Sequence, residues 1–181
     1  MSRIVPADEK ANSQLAETYA EITRTRGYVA DILKVLSHAP EGLQRFAAYG
    51  EYVRYRTDLP ARTRELAILA IARGNQYAWS HHFPHATKAG LTQSELDALD
   101  DGAFADTLSA AEQAAARYAQ EFADSGNVSD ATFAELKRHY ADRQITDLTL
   151  LAGYFVVLGS VISALRVELE PRFKPVMRPI K

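Results

Sequence analysis

The residues best suited to chemistry crowd one stretch of the chain. Three of its five histidines (His81, His82 and His85), its only tryptophan (Trp79) and Tyr77 follow a glutamate, Glu65, that opens the apolar run "ELAILAIA". On an apolar face, Glu65 either reaches solvent or a partner or has its pKa raised by desolvation toward the range useful for proton transfer. Metal binding is the competing chemistry. His81 and His85 are four apart and His82 and His85 three apart, so one helix would present either pair together, a spacing that can ligate zinc. Against this, "HHFPH" lacks the glutamate of a His-Glu-x-x-His site, no third ligand stands at motif spacing, and Pro84 is expected to kink a helix running through it. From the residues alone, the favoured reading of Glu65 is a helix-start residue ending in water. Tyr77 and Trp79 are packing residues with one polar end each, and the isolated His38 and His139 carry structural roles.

The rest of the composition narrows the classes. There is no cysteine, which removes a thiol nucleophile, a redox pair, a thiolate metal site and a disulfide. With 21 basic against 23 acidic residues the chain has no electrostatic footprint for nucleic acid. The opening "MSRIVPADEK" has charges and no apolar h-region, so a cytoplasmic location is expected.

These side chains must be positioned by helices. Apolar residues recur at steps of three and four almost throughout, and the expected fold class is all-α. A first helix carries Leu15, Ala16, Tyr19 and Ile22 on one stripe and stops at Gly27; another opens at Pro40. "DLPARTRELAILAIARG" starts a helix at Pro60, with Asp58 placed to cap it, and puts Glu65, Ile68, Leu69 and Ala72 on one face. Capping boxes follow at Thr92 with Glu95 and at Ser109 with Glu112, while "DDGAFADTLS" and "DSGNVSD" read as loops. Leu148 to Leu165 has no charge, which reaches the lower bound for a membrane span; its glycines and serines, and the absence of a second such run, favour the centre of a helical bundle instead. From Pro171 onward, "PRFKPVMRPIK" reads as an extended tail that could wrap a neighbour in an oligomer. One domain over 1–170 and a tail over 171–181 is the expected organisation.

Residues 60–98 hold an ordered set: "REL" opening an apolar helix, "YAW" followed by a histidine, a proline soon after, an alanine-rich turn ending in "AGL", then an acidic helix. This set resembles the carboxymuconolactone decarboxylase-like family, which includes the alkylhydroperoxidase D-like proteins. The resemblance implies an alkylhydroperoxidase D-like helical bundle, no cofactor and no metal, a small-molecule substrate, and assembly as a dimer, trimer or hexamer. In the thiol-bearing branch the cysteines would fall on Asn75 and Ala78, so the chain resembles the branch lacking the Cys-x-x-Cys pair. Ala78 also replaces the acid usual in that branch.

Carried over, Glu65 is the family's helix glutamate and His82 its histidine, with His81 as the alternative for that position. Tyr77, Trp79, His81 and His85 are then candidates to line a substrate pocket, and Arg62, Arg64 and Arg73 are the nearby cations for a substrate carboxylate. The implied activity is a cofactor-free acid/base lyase or isomerase, decarboxylase-like, acting on a small organic acid or lactone. The alternatives are a non-catalytic helical oligomer that binds a small ligand and, more weakly, a peroxidase-type activity by some route other than a thiol.

Overall fold

A computed structural model describes residues 2–176, and among them there are nine α-helices and no strand. After a single 3-10 turn at Glu9–Ala11 come α1 (Ser13–Arg26), the one-turn α2 (Asp31–Lys34), α3 (Pro40–Tyr55), α4 (Ala61–Ile71), α5 (Gln76–Lys88), α6 (Gln93–Asp100), α7 (Ala110–Ser125), α8 (Asp130–Lys137) and α9 (Asp142–Leu165). The fold is the all-helical bundle expected from the periodicity.

Local sequence sets the boundaries. Gly27 ends α1 in the left-handed region at φ 77°, which a side chain would resist, and Pro40 occupies the first turn of α3 where no N–H is needed. Both capping boxes form, Thr92 with Glu95 and Ser109 with Glu112. Asp58 does not cap α4: Pro60 occupies the N-cap with no side-chain bond, and the Asp58 backbone N–H instead donates to Asp147. Helix α5 runs through Pro84. His82 just before the proline and Ala86 just after it are both buried, so packing holds the helix across the missing bond.

The core is centred on α4. Its residues Leu66, Ala67, Ile68 and Leu69 are fully buried, and it packs against α5, α7 and α9. A second apolar cluster joins α1, α2 and α3 through Leu15, Leu33 and Leu43. Asp147 ties α9 to the α3–α4 connection: it is fully buried and accepts from the Tyr52 hydroxyl at 2.6 Å, the Asp58 N–H at 3.1 Å and the Arg143 guanidinium at 3.1 Å. Those donors outweigh the cost of burial and hold its carboxyl below the usual range.

By length and composition α9 is long and apolar enough to cross a membrane. One side of it packs on α3, α4 and α7, while Leu150 and Val157 are exposed on the other. Residues 171–173 form a turn in which the Phe173 N–H bonds the Glu170 carbonyl at 2.9 Å, and the Phe173 ring lies against His81 of α5. Residues 177–181 of the expected tail lie outside the described residues.

Candidate active site

Helix α4 brings Glu65 inward on the same face as Ile68 and Leu69, and the site grows from that choice of face. Glu65 is only 6% exposed, so it does not end in water. Helix α5 crosses beside it. Its start is fixed by Asn75, whose side chain accepts from the Ala78 N–H at 3.0 Å, so the position corresponding to a cysteine in the thiol branch is spent on a helix cap.

Glu65 and His82 meet: His82 Nδ1 lies 2.9 Å from Glu65 Oε2, and both side chains are buried. Desolvation alone would push the Glu65 carboxyl up. The hydrogen bond from His82 and the charges of His82, Arg54 and Arg64 outweigh it, leaving the group below its ordinary value. His82 is held down to about 4, chiefly because burial penalises the imidazolium, with Arg54 and His85 adding to the effect against the pull of Glu65. At neutral pH the pair is therefore a carboxylate facing a neutral imidazole. A carboxylate can only accept, so Nδ1 carries the proton and the lone pair sits on Nε2. Among the described residues Nε2 receives no hydrogen bond, and Phe155 packs edge-on against the ring at 5.0 Å.

His81 belongs to a different pair. Its Nε2 is 2.7 Å from Glu170 Oε2, and its ring lies between Tyr77, stacked at 4.4 Å, and Phe173, tilted at 4.0 Å. Glu170 also accepts from the Tyr77 hydroxyl at 2.9 Å and from the Asp31 N–H at 2.9 Å, and Tyr77 in turn accepts from the Ile32 N–H at 3.1 Å. Burial opposes the charge on Glu170, but these donors pull its carboxyl down to about 2. Burial, then the charge of Glu170, drives the Tyr77 hydroxyl far above its usual value. This network joins α5, α2 and the segment after α9 into one wall.

The histidines of the two pairs line a cavity of about 120 Å³, to which Tyr77 and His85 also contribute, while Glu65 and Glu170 stand behind them. Trp79 does not line it; the indole is 2% exposed and packs in the core with Leu66 and Leu69, on the other side of α5. The cations near the "REL" motif are elsewhere too. Arg62 reaches Glu95 and Glu112, both at 2.6 Å, in the capping boxes of α6 and α7, and Arg64 lies 3.5 Å from Glu65 without lining the cavity. Arg73 is packed against Gly102 and opens on a separate groove. The guanidiniums at the cavity are Arg26 of α1 and Arg54 of α3, joined there by Tyr28, Tyr154 and Phe155. Gly50 makes room for this corner, since a Cβ there would collide with the Tyr154 hydroxyl and with Arg26.

Sequence reasoning missed Glu170, Arg54, Arg26, Tyr28 and Tyr154. None lies in the histidine-rich window, and the one signal for Glu170 was its place just before the first proline of the tail. Among the described residues no group of three or more His, Asp or Glu side chains is arranged to hold a metal ion.

Residues 40–121, a little under half of the chain, match the profile of the family described as carboxymuconolactone decarboxylase. No curated protein matches. Several solved structures share the fold. A peroxidase-related protein from Ralstonia eutropha JMP134, described as an alkylhydroperoxidase AhpD core, superposes with a TM-score of 0.79 at 18% identity, covering 94% of this chain and 93% of that one. A peroxidase-related protein from Silicibacter sp. TM1040 gives 0.79 at 17%, covering 98% and 96%. The debrominase Bmp8, in a variant bound to 2,3,4-tribromopyrrole, gives 0.78 at 16%, covering 94% and 93%.

Proposed function

Residues 40–121 carry the carboxymuconolactone decarboxylase family pattern on an AhpD-like helical fold without cysteine, and from that premise we propose a cofactor-free acid/base enzyme acting on a small organic acid or lactone. The observation that carries the reading is the buried 2.9 Å contact between Glu65 and His82 Nδ1, which leaves Nε2 as the basic edge of a residue lining the cavity.

A neutral imidazole backed by a carboxylate first takes a proton. Glu65 fixes the tautomer beforehand and stabilises the imidazolium once it has formed, and the same Nε2 then returns the proton. That order favours reactions that begin at a C–H acidified by a neighbouring carbonyl: isomerisation by proton transfer, or elimination. Decarboxylation begins with loss of carbon dioxide and needs a donor afterwards, for which a neutral His82 is less suited. The small cavity and its aromatic walls support a compact planar substrate. Bmp8, of the same fold, is a protein that holds a single small ring.

The test is solvent exchange. Small keto acids, unsaturated acids and lactones are incubated with the protein in deuterated water and followed by proton NMR. Loss of a C–H signal with the wild type, and its retention with His82→Gln and Glu65→Gln variants of unchanged circular dichroism, is the expected result. Exchange at full rate in folded His82→Gln protein overturns the reading.

A second reading, a non-catalytic oligomer that binds a small ligand, draws support from the exposed Leu150 and Val157 on α9. It expects no exchange with any substrate, and a loss of stability or assembly in the His82 variants instead. A thiol peroxidase cycle has no residue to run on, since Asn75 and Ala78 stand where the cysteines would be.

A further inference from the structure

We propose that Arg54 is the anion seat of the cavity, and that the seat takes the carboxylate of a planar single-ring acid. This rests on the reading of the Glu65–His82 cavity as the site of proton transfer and adds to it the chemical class of the substrate.

The first observation is a difference among the arginines. Arg62 is held by two carboxylates and Arg64 lies beside Glu65, whereas among the described residues no carboxylate comes within ion-pair distance of Arg54. Its guanidinium carbon instead lies 5.0 Å from the centroid of the Tyr55 ring, and the half-buried side chain lines the cavity. The nearest acids are already engaged: Glu65 by His82 and Arg64, and Glu170 by His81, Tyr77 and the Asp31 N–H. Arg26, the other guanidinium there, already donates to the Ala47 carbonyl at 2.9 Å. A cation facing an aromatic hollow whose anions are spent is suited to an acid brought in from outside, and a guanidinium presents the forked donors that a carboxylate accepts.

Size limits the class. The cavity of about 120 Å³ is close in size to the roughly 150 Å³ apolar cavity known to admit benzene, and it opens to solvent on one side, so it is matched to a single ring whose substituent can reach past the mouth. Placement gives the seat a further consequence. The charge of Arg54 disfavours protonation of His82, and a bound carboxylate would offset that charge, so the imidazole becomes a stronger base only when a ligand is in place.

Calorimetric titration with benzoate and with benzamide, its uncharged counterpart of similar shape, tests the proposal without a known substrate. The wild type should bind benzoate about tenfold or more tightly than benzamide, a difference of about 1.4 kcal/mol. Arg54→Met should abolish that preference while Arg54→Lys keeps part of it. Equal affinity for benzoate and benzamide in the wild type overturns the proposal, as does a preference that survives in Arg54→Met. Should Arg54→Met fail to fold, the wild-type comparison and Arg54→Gln decide by the same criterion. The two readings fail separately. Benzoate preference without any exchange activity leaves the seat standing and removes the proton transfer, while exchange lost in His82→Gln without benzoate preference removes the seat alone.

Discussion

His82 is the residue on which the chemistry can be measured most directly. With its imidazole held down to about 4 in the free protein, the basic form is already complete well below neutrality, so kcat/KM for exchange should rise through about pH 4 and be flat from about pH 5 upward. A profile rising near 6.5, the ordinary histidine value, would mean that the ring is not buried as described. Replacing His82 with Gln should lower the rate by about 10²- to 10⁴-fold, the usual worth of a positioned base. The same depression has a sign for stability. An unfolded chain takes up the proton at 6.5 and the folded one only near 4, so folding stability should decline as pH falls through that window, by roughly 3 kcal/mol in total. Glu65, lowered in the fold, adds stability that is present above 4.5 and lost below it, and chemical denaturation at stepped pH reads both. At this scale the sequence was informative where partners were near in the chain. Glu65 and His82 are separated by one helix and one short turn, so a shared pattern could pair them. Arg54 and Glu170 carry no local mark, because what makes them part of the site is which helices pack together.

Among the elements, α5 and α3 place the site, and each depends on one residue. Asn75 caps α5, and Asn75→Ala should cost about 1 kcal/mol in thermal unfolding. Gly50 sits inside α3, where alanine is intrinsically the better helix former by about 1 kcal/mol. Contact with the buried Tyr154 should reverse that sign, so Gly50→Ala is expected to destabilise by about 1–3 kcal/mol and to disturb the Arg26 side of the cavity. A Gly50→Ala protein more stable than wild type would show that Tyr154 yields easily. Helix starts were legible at Pro40, Thr92 and Ser109 because a cap acts within one turn. Asp58 misled for the opposite reason. The backbone of Asp58 is claimed by Asp147, 89 residues away.

Across the whole molecule, helical periodicity and the length of the chain made the all-helical class readable, because a core of this size needs neither strands nor covalent staples. Which sides of the helices meet was not readable, and Trp79 shows why. Its neighbours in sequence line a cavity, but its own position on α5 turns it into the core with Leu66 and Leu69. The exposed apolar side chains on α9 lead to a test of assembly: light scattering at micromolar concentration should give a multiple of the 20.1 kDa chain mass. A monomer mass would remove the oligomeric reading. Glu170→Ala is expected to leave the Tyr77 hydroxyl and the His81 ring without their acceptor, at a cost of about 1–3 kcal/mol in a thermal melt, and to loosen the segment carrying Phe173.

The 89-residue separation between His81 and Glu170 also decides what can be transplanted. A fragment trimmed to 40–121 would keep Glu65, His82 and Arg54 but would arrive with His81 untethered and the walls supplied by α1, α2 and α9 missing. The segment that matches the family profile is thus not a portable module, and any minimal version of this protein has to run from α1 at least as far as Phe173.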